Sequence, residues 1–149
     1  MIHERGYMEI LLIDNTYASS VCDFICEQRR NEYNIRRFSL NLLNHYTERK
    51  SSYVIVARQF GEIYGVMFVN LHSGRQAWSM GEVLGTIEWI TLRKCENYSE
   101  VALRLYEKAK EILIFHNGIR LFINDFSEPA FFHAVGLDYE TYRIERYLR

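Results

Sequence analysis

The chain has 149 residues, of which 48% are hydrophobic and 25% charged, the composition of an ordinary globular protein. Eighteen Lys and Arg residues against nineteen Asp and Glu residues give a net charge of -1, so no excess of positive charge is available for a phosphate backbone. We therefore expect no nucleic-acid partner. No stretch of eighteen apolar residues and no signal-peptide segment is present, which predicts no membrane partner and a cytoplasmic location.

The first half of the chain predicts one strand and two helices. Residues 8–13 form a short apolar run that ends before Asp14, which favours a strand. Thr16 is placed to cap a helix whose apolar residues recur at three- and four-residue spacing. These residues are Ala18, Val21, Cys22, Ile25 and Cys26. Residues 39–48 predict a second helix, with Leu40, Leu43 and Tyr46 on one face.

The middle of the chain predicts three strands. Residues 53–58 and 65–71 are rich in β-branched and aromatic residues, and the short glycine-containing segment between them is typical of a hairpin. Residues 83–92 predict the next strand. Since strand side chains alternate, Glu88 is expected on the face of Ile90 and Leu92, opposite Trp89.

The last third predicts helix, strand, helix and strand. Residues 99–116 carry a long apolar stripe, and Gly118 follows where a left-handed C-cap residue is needed. Residues 119–123 predict a strand, 128–134 a short helix and 139–148 a final strand. The order βααβββαβαβ predicts an α+β fold over residues 1–149, a single domain. Its sheet is mixed and mostly antiparallel, with strands 4 and 5 parallel and helices on both faces.

The cysteines and histidines do not form a metal-binding pattern. Cys22 and Cys26 are one helical turn apart and Cys95 lies far along the chain, while the five histidines are scattered. Buried free thiols are the favoured interpretation, so no metal is predicted. The pair Arg29 and Arg30, with acidic neighbours, is interpreted as a solvated helix face.

The order and spacing of these elements resemble the GCN5-related N-acetyltransferase (GNAT) family over nearly the whole chain. The resemblance implies that an acyl-CoA, acetyl-CoA or another, is the co-substrate, with its pantetheine arm paired to the fourth strand at Ile90 and Leu92. It also implies that the pyrophosphate binds backbone N–H groups where that strand leads into the next helix, an anion site of the kind that helix N-termini provide.

The turn that would hold the pyrophosphate departs from the family pattern of Gln or Arg, two residues, Gly, one residue, and Gly or Ala. Asn97, Glu100 and Ala102 occupy the three specified places, so a carboxylate replaces the first glycine. The remaining residues of the turn are Tyr98, Ser99 and Val101. A second interpretation of the same residues is a capping box, with Asn97 as N-cap and Glu100 three residues later.

Two further residues are catalytic candidates by the same resemblance. Glu88, on the fourth strand, is placed to accept a proton from the amine substrate, although a structural glutamate at the strand edge is the alternative. Phe132 takes the place of a family tyrosine that commonly protonates the CoA thiolate, and His133 beside it is a candidate substitute. The alternative for His133 is an exposed helix residue without a catalytic role.

The resemblance favours an enzyme that transfers an acetyl group to a primary amine of a small molecule or protein by direct attack on the thioester. The alternative is a catalytically inactive GNAT-like binding or regulatory module. Five aromatic residues either line the acceptor side or fill the core and a subunit interface. They are Tyr33, Phe38, Tyr46, Trp78 and Trp89. The last strand is a candidate for pairing across the twofold axis of a homodimer.

Overall fold

A computed structural model describes residues 7–73, 83–124 and 129–136. Five strands in these ranges form one sheet in the order β1-β2-β3-β4-β5. The strands are β1 (Glu9–Leu12), β2 (Ser52–Gln59), β3 (Glu62–Ser73), β4 (Val83–Leu92) and β5 (Gly118–Ile123). The first four strands pair antiparallel, and β4 pairs with β5 parallel.

Helices cover both faces of this sheet. They are α1 (Ala18–Gln28), α2 (Ile35–Glu48), α3 (Tyr98–Phe115) and α4 (Pro129–Ala134). The order βααβββαβα confirms the predicted mixed fold through α4. The last predicted strand, residues 139–148, lies outside the described residues.

Each face of the sheet has its own apolar core. Val54, Val56, Val66 and Phe68 pack with α1 and α2 on one face. On the other face β2, β3 and β4 pack with α3 and α4. The alternation of side chains along the strands produces this division, and both cores consist mainly of fully buried aliphatic and aromatic residues.

The hairpin between β2 and β3 is tighter than predicted. Its loop is the pair Phe60 and Gly61, which both have positive φ, at 55° and 75°. This is the backbone of a two-residue turn whose twist matches that of the strands, so β3 begins at Glu62 rather than at residue 65.

Three helix ends also differ from the prediction. Asn34 adopts a left-handed conformation that starts α2 at Ile35, four residues before the predicted start, and Ser39 rather than the exposed Leu40 faces the core. Asn117, with φ 59°, takes the left-handed position after α3, and Gly118 is the first residue of β5. The N-cap residue of α1 is Tyr17, whose side chain makes no capping bond, and not Thr16 as predicted. Thr16 lies in a 3-10 turn before α1, Asn15–Tyr17, which Asp14 caps by accepting from the Thr16 N–H.

Among the residues described, no helix has the length and apolar character needed to cross a membrane.

Candidate functional site

The pairing between β4 and β5 ends halfway along β4. Their pairing covers Val83 to Ile87 of β4, and the Asn124 N–H donates a last bond of 2.9 Å to the Ile87 carbonyl. The strand β4 continues for five more residues to Leu92, so its outer half has an edge that β5 does not pair with.

The backbone groups at this edge can be assigned from the pairing on the other side. The Arg93 N–H points toward β3, where it donates to the Tyr64 carbonyl at 2.8 Å. Because backbone groups alternate along a strand, those of Ile90 and Leu92 point the opposite way, toward the edge of β4 that faces away from β3. These are the two residues to which the sequence assigns a pantetheine arm.

A β-bulge occurs at Glu88. Phe68 of β3 pairs with Trp89 and Val69 pairs with Ile87, which leaves Glu88 as an extra residue on β4. The bulge reverses the alternation, so Ile87 and Ile90 belong to the core under α3, while Trp89 packs against Phe68 on the α2 face.

Glu88 therefore shares the α2 face with Trp89, and the prediction that it lies on the side of Ile90 and Leu92 is wrong. Its charge acts on Tyr46, a buried residue of α2. Burial, and after it the Glu88 carboxylate, raise the pKa of the Tyr46 phenol well above its usual value. Glu88 itself is half-buried.

The N-terminus of α3 lies directly after β4. Asn97 is the N-cap residue, but its side chain makes no capping bond. Its Oδ1 instead accepts from the Cys95 thiol at 2.7 Å, and its Nδ2 donates to Gln59 Oε1 at 3.3 Å. The capping-box interpretation is therefore wrong.

The first turn of α3 presents unused donors to solvent. Within the described ranges, the N–H groups of Ser99 and Glu100 have no hydrogen-bond partner, and both residues are exposed. Val101 and Ala102 are buried against the sheet. The helix approaches β3 closely at Gly65, where an added Cβ would lie 2.8 Å from Leu92 and 2.9 Å from Val101.

The helix α4 divides its candidates between core and surface. Phe132 is 1% exposed and packs edge-to-face with Phe131 in the core beneath α3. His133, the next residue, is exposed. The tyrosine place of the family is thus a buried apolar ring here.

An open groove of about 560 Å³ lies beside β4 on the α2 face. Three of the aromatic residues singled out in the sequence line it: Tyr33, Phe38 and Trp89. Glu32 and Arg37 line it as well, so both signs of charge are present. Tyr46 is buried in the core instead, and Trp78 lies outside the described residues.

Arg29 is predicted to lie on a solvated helix face, but in the structure it lies against the outer half of β4. Its side chain is 9% exposed, its Nη2 donates to the Ile90 carbonyl at 2.6 Å, and its guanidinium carbon lies 4.2 Å from the Trp89 ring centroid. One sequence signal was available, because Arg29 continues the spacing of Cys22 and Ile25 on the buried stripe of α1.

The thiols of Cys22 and Cys26 lie close to each other. Cys22 and Cys26 are free, with their Sγ atoms 4.0 Å apart. In the part of the chain that the structure describes, no group of three or more His, Cys, Asp or Glu residues is arranged to hold a metal ion.

The fold is that of the GNAT acetyltransferases, as comparison with solved structures establishes. A probable acetyltransferase matches with a TM-score of 0.70 over 87% of this chain and 89% of its own, at 13% identity. An aminoglycoside N-acetyltransferase in complex with CoA matches with a TM-score of 0.71 over 89% of each chain, at 11% identity. A predicted acetyltransferase from Clostridium acetobutylicum, solved with acetyl-CoA, matches with a TM-score of 0.70 over 89% of this chain and 90% of its own, at 9% identity.

The likeness is one of fold alone at these identities. No protein-family model matches the sequence, and a comparison with curated proteins gives no match. The roles of individual residues therefore depend on this chain's own geometry.

Proposed function

We propose that the protein is an acyl-CoA-dependent N-acyltransferase that moves an acetyl group from acetyl-CoA to a primary amine of a small molecule or protein. The observation that carries this proposal is the conjunction of two features. The β4 edge at Ile90 and Leu92, beyond its pairing with β5, runs directly into a helix N-terminus with unused N–H donors at Ser99 and Glu100. An extended amide-containing arm fits the first feature, and a pyrophosphate fits the second.

The residues of the turn fit the nucleotide end of the co-substrate except for one negative charge. Main-chain donors and the helix dipole favour the pyrophosphate, and the Asn97 side chain leaves these donors open. The carboxylate of Glu100 in the first turn opposes it. The Arg93 guanidinium is directed elsewhere, because it donates to the Ile63 carbonyl at 2.7 Å and lies 3.9 Å from the Glu27 carboxylate. Because Glu100 is exposed, solvent screening weakens the repulsion, and binding is reduced rather than prevented.

The chemistry assigned to the chain is direct acyl transfer. Glu88 accepts a proton from the substrate ammonium, and the freed amine nitrogen forms a bond to the thioester carbonyl carbon. Backbone groups of the β4 edge stabilise the developing oxyanion. The C–S bond then breaks with its electron pair on sulfur, and the proton that the nitrogen loses reaches the thiolate through His133 or water. The groove beside Trp89 is the proposed acceptor site, because it lies on the same face as Glu88.

Phe132 cannot take part in this proton transfer. Its burial in the core under α3 supports a packing role for the ring, so we do not propose that it contacts the cofactor.

The first experiment is a thermal-shift and calorimetric titration with acetyl-CoA. Ligand at about a hundred times its dissociation constant adds about 2.7 kcal/mol to the free energy of unfolding. The Glu100→Gln variant is expected to bind acetyl-CoA several-fold more tightly than the parent, with the larger gain at low salt. Glu107→Gln, on an exposed position of the same helix, is the matched control and is expected to change nothing. Absence of binding at millimolar acetyl-CoA in all three proteins would exclude the proposed function.

The second candidate function is a non-catalytic binding or regulatory module with the same fold. It is favoured by the burial of Phe132 at the place of a proton-donating tyrosine. The two candidates differ in turnover: the enzyme releases free CoA thiol when amines are supplied, whereas the module binds without turnover. Glu88→Gln separates them further, because it lowers the rate of thiol release only in the enzyme.

A further inference from the structure

The side chain of Arg29 occupies the edge of β4. Arg29 is the residue that follows α1, and it reaches the Ile90 carbonyl with a charge-assisted bond of 2.6 Å. Its guanidinium stacks over Trp89, and its Nη1 lies 3.6 Å from Glu32 Oε2. The carbonyl it takes belongs to the half of β4 that extends beyond the pairing with β5.

These contacts make the arginine a stable occupant of the edge. An arginine side chain that is 9% exposed would be costly to bury if its guanidinium had no partners. A carbonyl, an aromatic face and a carboxylate together match its planar donors, its π face and its charge. The arginine therefore competes with any other group that needs the Ile90 carbonyl.

We propose that Arg29 is an internal competitor of the pantetheine arm, so that its release from the Ile90 carbonyl gates entry of the acyl-CoA to the β4 edge. The proposal rests on the proposed function, because it assigns the arm to this edge. Ligand binding then requires the minor conformation in which Arg29 has left the carbonyl. The apparent dissociation constant then equals the intrinsic constant divided by the fraction of molecules in that conformation, so a rarely populated conformation weakens binding.

The geometry separates the two ends of the co-substrate. Arg29 contacts the strand edge, where the arm would lie, while the nucleotide end would bind at the first turn of α3. Removing the arginine is therefore expected to improve binding of the whole co-substrate and to leave a nucleotide fragment unaffected.

The test is calorimetric titration of Arg29→Gln, Arg29→Lys and the parent with acetyl-CoA and with 3′-phospho-ADP, which lacks the pantetheine arm. Arg29→Gln is expected to bind acetyl-CoA about tenfold more tightly, or about 1.4 kcal/mol, with an unchanged affinity for 3′-phospho-ADP. Arg29→Lys keeps the charge but loses the planar stacking, and an intermediate gain is expected. Arg30→Gln, an exposed neighbour, is the control and is expected to match the parent.

Each outcome decides the proposal. Equal or weaker acetyl-CoA binding in both Arg29 variants, with a parent that binds, overturns the gate and leaves the proposed function standing. An equal gain for 3′-phospho-ADP also overturns it, because the arginine then acts through general charge. If only the Arg29 variants bind acetyl-CoA and the parent does not, the proposal is supported and the arginine blocks the β4 edge completely in the parent. No binding of either ligand by any variant removes the proposed function and the gate together. Should Arg29→Gln fail to fold, as its circular dichroism would show, the lysine variant decides by the same criteria.

Discussion

Thr91 and Thr86 lie on the same strand and are both buried, yet their hydroxyls have opposite environments. Thr91 is 1% exposed, and its Oγ1 has no hydrogen-bond partner in the portion of the chain that the structure describes. The Thr86 hydroxyl shares a hydrogen bond of 3.1 Å with His72 Nε2. A buried donor without a partner costs about 1–3 kcal/mol, whereas a satisfied hydrogen bond contributes about 0.5–1.5 kcal/mol. The same substitution is therefore expected to change stability in opposite directions at the two positions.

We expect Thr91→Val to raise the free energy of unfolding by about 1 kcal/mol, since valine keeps the β-branched shape and removes the unpaired hydroxyl. For a chain of this length the midpoint temperature should rise by about 2–4 °C. Thr86→Val should lower the free energy by about 0.5–1 kcal/mol. Urea unfolding followed by circular dichroism measures both, and equal m-values establish that only stability has changed. A loss of stability in Thr91→Val as large as that in Thr86→Val would refute the reasoning.

Three further predictions concern the site and the core. Glu88→Gln should lower the rate of CoA thiol release by roughly a hundredfold. In an ultraviolet titration of the same variant, the Tyr46 phenol should ionise at a lower pH than in the parent, because the Glu88 carboxylate no longer adds to the effect of burial. Burial, and after it the charge of the neighbouring thiol, raise the pKa of Cys22 from 9.0 to about 11, so its contribution to stability is complete below pH 9 and is lost as the pH rises toward 11. Urea unfolding over that range should show a shallower loss in Cys22→Ala. Gly65→Ala should cost about 1–3 kcal/mol in chemical unfolding, and more than Gly85→Ala, whose added Cβ meets its neighbours at 3.1 Å rather than 2.8 Å.

The order of elements and the mixed sheet could be predicted because they follow from the spacing of apolar residues. The runs at residues 53–58 and 65–71 are too short and too β-branched to suit helices, and the stripe on α3 has helical spacing over eighteen residues. The bulge at Glu88 could not be predicted in this way. A strict period of two places Glu88 with Ile90, and a single extra residue reverses this without any mark in the local composition.

The predicted C-cap of α3 was wrong because two neighbouring residues can both adopt the left-handed backbone that ends a helix. Gly118 and Asn117 both tolerate a left-handed backbone, and asparagine takes that conformation while the glycine enters β5. A Cβ on Gly118 would lie 2.9 Å from the Leu113 carbonyl oxygen, so the strand position requires the glycine more strongly than the cap does. Packing between α3 and β5 therefore decides the assignment, and local propensity does not contain that information.

The sequence could assign a candidate site only as far as the backbone determines it. The resemblance assigns the site to the β4 edge and the α3 turn, because both consist of main-chain groups in a given topology, and this assignment stays a prediction. The side chains were harder to assign. Asn97 has the sequence context of a capping residue, but Cys95 and Gln59, the second distant in sequence, take its amide group. Arg29 meets Ile90 only after folding, at a separation of 61 residues.

Three residues of this chain oppose the proposed acyl transfer, two through binding and one through proton transfer. This difference bears on which candidate function the chain favours. Glu100 is exposed and screened by solvent, and Arg29 is a long side chain at the end of a helix that can leave the edge by rotamer changes. Both act on affinity and leave the main-chain binding groups in place. Phe132 is different, because a buried ring cannot supply a proton under any rearrangement of its side chain. A thiolate, however, can be protonated by water. We therefore favour the proposed acyltransferase over the non-catalytic module, and we expect it to have a low affinity for its acyl donor because Arg29 occupies the β4 edge until a ligand displaces it.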